Sequence, residues 1–171
     1  MLDNTKHNAD ILLREIGERL KSQFSVAEVI YRRKVASSPG APITMIEELA
    51  VRCDGVVNAY GDCGSCTSWC VHDSVQLEKL GIPTATVNTD EFVVLGQAEA
   101  MALGMPGLPI VVVKHPIGDV DAAEVRVRAA AAMGEIGKVL VTDAAALEAE
   151  YRGRYLAESG KYRDGGLACP I

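Results

Sequence analysis

The 171-residue chain has no apolar run near the roughly 18 residues that a membrane-crossing helix needs. Its first stretch, MLDNTKHNADILLREIGERLK, is charged throughout and has no apolar stretch of the kind an export signal requires. Basic residues are not in excess: 17 Lys and Arg stand against 23 Asp and Glu, a formal net charge of −6 at pH 7. That balance argues against nucleic acid or an anionic membrane surface as a partner. Neither G-x-x-x-x-G-K-[ST] nor G-x-G-x-x-G follows any apolar run, so no nucleotide is expected and no cofactor is assigned. Aromatic residues make up only 5% of the chain although 49% of it is hydrophobic. A core rich in Ala, Val and Leu suits helices packed on a parallel sheet. With no export signal and an odd number of cysteines, five, a disulfide framework is not expected; a cytoplasmic location and catalytic or metal-binding thiols are.

The chain fits one α/β domain over residues 1–171. Leu12, Ile16 and Leu20 recur every four positions and predict a helix over 8–22. VAEVIY (26–31) reads as a strand, ASSPGAP (36–42) as a loop, and ITMIEELAVRC (43–53) as a helix. Strands follow at 55–60, 84–88 and 108–115, with helices after each. Asp121 and Glu124 have the spacing of a capping box. KVLVT (138–142) reads either as a fifth strand or as the end of the preceding helix, and residues 158–171 read as an irregular tail. The alternation predicts a three-layer open sheet of four to five mainly parallel strands with helices on both faces, Rossmann-like or flavodoxin-like. In such sheets ligands bind beyond the carboxyl ends of the strands. The segments RRKVASSPGAP, GDCGSC, NTDE and KHPIGD should therefore share one rim.

The segment GDCGSCTSWC (61–70) carries three of the five cysteines. Cys63 and Cys66 form a C-x-x-C at a predicted helix start, where free amides and the helix dipole favour a thiolate. In that arrangement Cys63 is the exposed nucleophile and Cys66 the shielded thiol that resolves a mixed disulfide. Gly61 and Gly64 would let the backbone turn and approach a ligand. Asp62 opposes the thiolate unless its carboxylate points away. Cys70, one turn beyond Cys66, reads as packing, as does Cys53; a metal or iron–sulfur module through Cys63, Cys66 and Cys70 is the alternative. Against that alternative, no second C-x-x-C and no H-x-x-x-H supplies the four ligands of a structural zinc site. A phosphatase loop is excluded because the arginine it needs six positions after its cysteine is Trp69 here.

Other candidates follow from the rim. His115, ending a strand, and His72 are candidate proton carriers. Arg32 and Arg33 are a candidate clamp for a carboxylate or phosphate, or merely solvated charge. Gly64, Ser65 and Thr67 at the helix mouth, and Asn88 and Thr89 at a strand end, are candidate substrate contacts. ASSPGAP is a lid or a connection.

GDCGSCTSW with the following HD (72–73), and LGMPGLPIVVVKHPIG (103–118), resemble the UGSC family, bacterial proteins named for a motif whose first position is selenocysteine in some members. The resemblance matches Cys63 to that position and Cys66 to its partner cysteine, which implies nucleophilic or redox use of Cys63, with sulfur as the weaker nucleophile. Together these readings predict an enzyme, a cysteine-dependent oxidoreductase acting on a small, anionic substrate. A thioredoxin-like protein or low-molecular-weight thiol would reset the pair, and the chain would form a homodimer. The alternative within enzymes is covalent cysteine catalysis without net redox change, as in a lyase or hydrolase or in carbon–sulfur bond chemistry.

Overall fold

A computed structural model describes residues 1–156; the predicted tail 158–171, with Cys169, lies outside the described residues. In chain order the elements are β1 (Leu2–Asp3), α1 (Ala9–Phe24), β2 (Arg32–Arg33), α2 (Ile43–Arg52), β3 (Val56–Gly61), α3 (Gly64–Lys79), β4 (Thr84–Thr89), α4 (Val93–Ala102), β5 (Ile110–Val113), α5 (Ala122–Val141) and α6 (Ala144–Tyr151). The five strands form one all-parallel sheet in the order β2-β1-β3-β4-β5.

Helices α1 and α5 pack on one face and α2, α3 and α4 on the other. Strands β3 and β4 are buried along their whole length, their polar residues Asn58, Thr84, Thr86 and Asn88 included. Leu12, Leu13, Ile16, Ala129, Met133 and Ile136 meet Val57 and Val87 in the larger core. Across the sheet, Leu2, Ile46, Leu49, Val56 and Leu77 form a second cluster. Asp121 accepts a hydrogen bond from Glu124 N at 2.9 Å, which starts α5 at the expected capping box.

One strand assignment is corrected, and one open alternative is decided in favour of helix. VAEVIY is not a strand; the ladder on that side is β2 alone, Arg32–Arg33. Its neighbour β1 offers only Leu2 and Asp3 for pairing; beyond them the Met1 ammonium donates to the Ile30 carbonyl at 2.7 Å, while Arg32 N and Lys34 N donate to the carbonyls of Met1 and Asp3. KVLVT is the last turn of α5, with Val139 buried, and the fifth strand is instead the two-residue β1. Two residues are too few to display a period, so the sequence pattern alone does not reveal β1.

The order 2-1-3-4-5 reverses direction between β1 and β3. Connections from β1 and β3 leave toward opposite faces there, and a crevice opens at their carboxyl ends. The segments that flank this crevice are residues 4–8 after β1 and residues 62–66 after β3.

Candidate functional site

Cys63 caps the N-terminus of α3 in an extended conformation (φ −152°, ψ 167°), and its carbonyl accepts from Thr67 N at 3.0 Å. The amides ahead of Thr67 belong to the unpaired first turn and give this end of α3 a partial positive charge. Cys63 is half-buried, whereas Cys66, one turn inside, is fully buried. Their sulfurs are bonded to each other, with the two Cα atoms 5.5 Å apart.

The close approach of α3 to the end of β3 depends on Gly61. A Cβ there would stand 2.6 Å from Thr67 Oγ1 and 2.8 Å from Asn88 Oδ1. Gly64, by contrast, faces open space and has no positive φ, so the expected need for glycine does not hold at that position.

Asp62 does not point away from the sulfurs. Its Oδ1 lies 3.9 Å from Cys66 Sγ and 3.3 Å from Lys6 Nζ, and the same ammonium stands 3.8 Å from Cys63 Sγ. Lys6 answers the carboxylate's charge and presents a cation to the outer sulfur. Lys6 is the main residue that sequence reasoning missed, because it sits one turn of chain beyond the unrecognised β1.

The loop holding Lys6 is pinned from several directions. Thr5 (φ 61°) and Asn8 (φ 65°) both occupy the left-handed region. That conformation costs a β-branched residue about 1–2 kcal/mol, and such strain persists only where the surroundings enforce it. Here Thr5 N donates to Asp3 Oδ1 at 2.6 Å and Thr5 Oγ1 to the Lys34 carbonyl at 2.6 Å. Asn8 Nδ2 donates to the carbonyls of Ile117 and Val120, each at 2.9 Å, and Tyr60 OH donates to the His7 carbonyl at 2.5 Å.

A buried polar relay supports the same corner from below. Asn4 Nδ2 donates to the carbonyls of Cys66 (2.9 Å) and Tyr60 (3.3 Å), while its Oδ1 accepts from Lys34 Nζ at 2.8 Å. Lys34 also pairs with Asp73 Oδ2 at 2.8 Å, both side chains 1% exposed, and Asp73 Oδ1 accepts from Ala41 N at 2.8 Å. Loop 36–42 is thereby tied to α3. The RRK run is consequently not one uniform solvated cluster. Lys34 is internal, and Arg32 is engaged by the Glu48 carboxylate through both Nε and Nη2. Arg33, half-exposed, stands 3.6 Å from the buried Asp3 carboxylate.

The remaining candidates divide by position. Gly64 and Ser65 are exposed at the mouth of α3. Thr67, Asn88 and Thr89 are fully buried beneath the rim, which removes them from direct contact with a substrate in solvent. Asp90 accepts from His115 N at 2.8 Å and pairs with Lys114 instead of capping α4. His115 stays on the rim: its Nδ1 is 3.2 Å from Thr89 Oγ1, which lies 3.4 Å from the Gly61 carbonyl. His72 is displaced from the sulfurs. Nine residues into α3, it is about 13 Å further along the helix axis, packed edge-on to Trp69 and 3.8 Å from Asp73 Oδ1.

Cys70 turns inward, its Sγ 3.8 Å from the Asn58 carbonyl, and burial followed by the nearby Asp73 charge pushes its thiol pKa far up. Among the described residues the donor atoms that gather are those of Asp62, Cys63 and Cys66, within 4.8 Å of one another; Cys70 is not with them. Three donors, two of them bonded to each other and the third paired with an ammonium, fit a structural metal poorly. A cleft of about 500 Å³ opens at the amino ends of β1, β2 and β3, lined by Met1, Phe24, Val26, Ile30, Cys53 and Leu140, and is separate from this corner. Among the described residues no helix is long and apolar enough to cross a membrane.

The model of the UGSC family matches residues 1–142 of the chain. That span holds all five strands, and it covers Lys6 as well as the sulfur pair. No curated protein and no solved structure matches the chain.

Proposed function

Given that the chain belongs to the UGSC family, we propose that it is a cysteine-dependent oxidoreductase in which Cys63 attacks and Cys66 resolves. The observation that carries this reading is the asymmetry of a bonded pair, one sulfur half-exposed at a helix mouth and its partner fully buried. The outer thiolate is favoured by the α3 N-terminus and by the Lys6 ammonium 3.8 Å away. Both effects offset the disadvantage of sulfur at a position where some family members carry selenium.

In this scheme the Cys63 thiolate attacks the disulfide or similarly oxidised sulfur of a small substrate, displacing a thiolate and leaving a mixed disulfide. Cys66 then attacks Cys63 Sγ, releasing the second substrate thiolate and forming the Cys63–Cys66 bond. A thioredoxin-like protein or a low-molecular-weight thiol reduces that bond and completes the cycle. With Arg32 held by Glu48, the cation available to an anionic substrate beside the sulfurs is Lys6. His115, on the same rim, is placed to exchange protons with a departing group. Non-redox covalent catalysis would use Cys63 alone and give Cys66 no part in the chemistry.

The test is trapping. Reduced Cys66→Ser, mixed with 5,5′-dithiobis-(2-nitrobenzoate), should hold a stable mixed disulfide on Cys63, seen by mass spectrometry, whereas the unaltered protein should pass on to the Cys63–Cys66 disulfide. A Cys63→Ser variant that reacts as fast as the unaltered protein overturns the proposal. Metal that copurifies under anaerobic conditions in stoichiometric amount would favour a metal module instead.

A further inference from the structure

Resolution poses a problem at Cys66 that attack does not pose at Cys63. Cys66 is 0% exposed, so solvent cannot take its proton, and burial disfavours the thiolate it must become. Among the described residues two oxygens stand within hydrogen-bonding reach of Cys66 Sγ: the Cys63 carbonyl at 3.3 Å and Asp62 Oδ1 at 3.9 Å. An amide carbonyl can accept a hydrogen bond but does not hold a proton near neutral pH. A carboxylate can accept the hydrogen bond and take the proton transiently as the thiol reacts.

Resting on the thiol-exchange reading above, we infer that Asp62 is the general base for Cys66 and that Lys6, paired with it, holds this carboxylate in place beside both sulfurs. The Lys6 ammonium lies 3.3 Å from Asp62 Oδ1, the same oxygen that faces Cys66. That ammonium is also 3.8 Å from Cys63 Sγ. One cation therefore serves both sulfurs, directly at Cys63 and through Asp62 at Cys66. This arrangement explains why an acidic residue stands immediately before a nucleophilic cysteine, where its charge alone would hinder the first attack.

The step balances. The Cys66 S–H bond breaks and its proton goes to Asp62 Oδ1. The sulfur's electron pair forms the Cys66–Cys63 bond as the bond from Cys63 to the substrate sulfur breaks. The substrate sulfur leaves as a thiolate with the electron pair of the broken bond and is thereby reduced. Asp62, 8% exposed in its side chain, then passes its proton to solvent along the rim.

The groups facing Asp62 come from three segments. Lys6 and His7 belong to the loop after β1, His7 Nδ1 lying 2.6 Å from the Gly118 carbonyl. Cys63 and Cys66 belong to its own turn. Gly118, before α5, packs beside Asp62 Oδ2 and the Tyr60 hydroxyl, a Cβ there standing 3.7 and 3.5 Å from them. Tyr60 stays un-ionised, its pKa pushed up by burial and then by the charges of Asp62 and Asp119.

The test uses the reduced full chain carrying Cys53→Ser and Cys169→Ser, mixed with excess 5,5′-dithiobis-(2-nitrobenzoate) and followed by released thionitrobenzoate. The first equivalent reports attack by Cys63 and the second reports resolution by Cys66. Asp62→Asn should slow the second phase at least tenfold at pH 7 and make it rise with hydroxide concentration. The first phase should be no slower, because a negative charge beside Cys63 has been removed. Asp62→Glu should retain more of the second phase than Asp62→Asn. A second phase unchanged in Asp62→Asn, or both phases slowed alike, overturns the assignment. Where Asp62→Asn fails to fold, Asp62→Ser is read by the same two outcomes. A single equivalent released by the protein with Asp62 intact overturns the thiol-exchange reading itself, and the role of Asp62 with it.

Discussion

Lys6 Nζ stands 3.8 Å from Cys63 Sγ, although 57 positions separate the two residues in the chain. The contact exists because β1 and β3 are adjacent parallel strands whose carboxyl ends share one crevice. Replacing Lys6 by methionine removes the cation beside the sulfur and should lower the thiolate fraction of reduced Cys63 at pH 7, slowing its alkylation. The pH–rate profile of alkylation by iodoacetamide measures this. A profile identical to that of the unaltered protein would remove Lys6 from the site.

Arg32 should be dispensable for the chemistry. Its guanidinium holds the Glu48 carboxyl down to a pKa of about 2, with a smaller part from Arg52. The folded value lies below the ordinary 4.5, so the stabilisation is present above pH 4.5 and is lost as pH falls toward 2. Arg32→Ala should leave Cys63 alkylation at pH 7 unchanged and flatten the acid limb of a urea-stability curve between those values. A large loss of reactivity toward an anionic alkylating reagent would restore Arg32 as a clamp.

The two glycines of the motif segment should behave oppositely. Gly61→Ala forces a methyl to 2.6 Å from Thr67 Oγ1 and 2.8 Å from Thr67 Cα. That overpacking should cost about 1–3 kcal/mol in urea denaturation. Gly64→Ala meets no atom within 4 Å and should be neutral, or stabilising by up to about 1 kcal/mol through helix propensity. Equal effects at the two positions would contradict the packing described.

Removing Lys34 leaves Asp73 charged and buried. Lys34→Met should destabilise by about 3–5 kcal/mol, and Lys34→Met combined with Asp73→Leu should recover much of that loss. Because Asn4 links Lys34 to the Cys66 carbonyl, the single variant should also alter the rate at which Cys66 resolves a mixed disulfide on Cys63. Chemical denaturation and thionitrobenzoate release check the two effects.

Cys70 should remain unmodified by iodoacetamide in the folded protein at pH 8, since burial pushes its thiol pKa far above the ordinary value. Cys70→Ala should cost about 1 kcal/mol for the cavity it leaves, with Cys63 alkylation unaffected. Peptide mapping after alkylation, with and without urea, separates the two cysteines. Rapid labelling of Cys70 without denaturant would contradict its placement.

Much of this protein was legible one residue at a time. Short runs rich in Val and Thr bounded by turn residues allowed β3, β4 and β5 to be placed, and periodic Leu and Ile marked α1. The helix start at the C-x-x-C, and with it the outer and inner placement of Cys63 and Cys66, follows from local spacing because those residues lie within one turn of each other. The UGSC motif is likewise local, and it identified the family from the residues around Cys63.

What the sequence could not supply depends on which strands lie side by side. Leu2–Asp3 is too short to carry a period, yet it lies inside the sheet between β2 and β3 and brings Lys6 to Asp62 and Cys63. The same adjacency draws Lys34 inside to Asp73 and turns Arg32 to Glu48, so a run that reads as three equivalent cations has three different fates. Periodicity and motifs report interactions within a turn or a strand. The charges around a thiol are set by whichever segments the strand order makes neighbours, and here only the tertiary structure decided them.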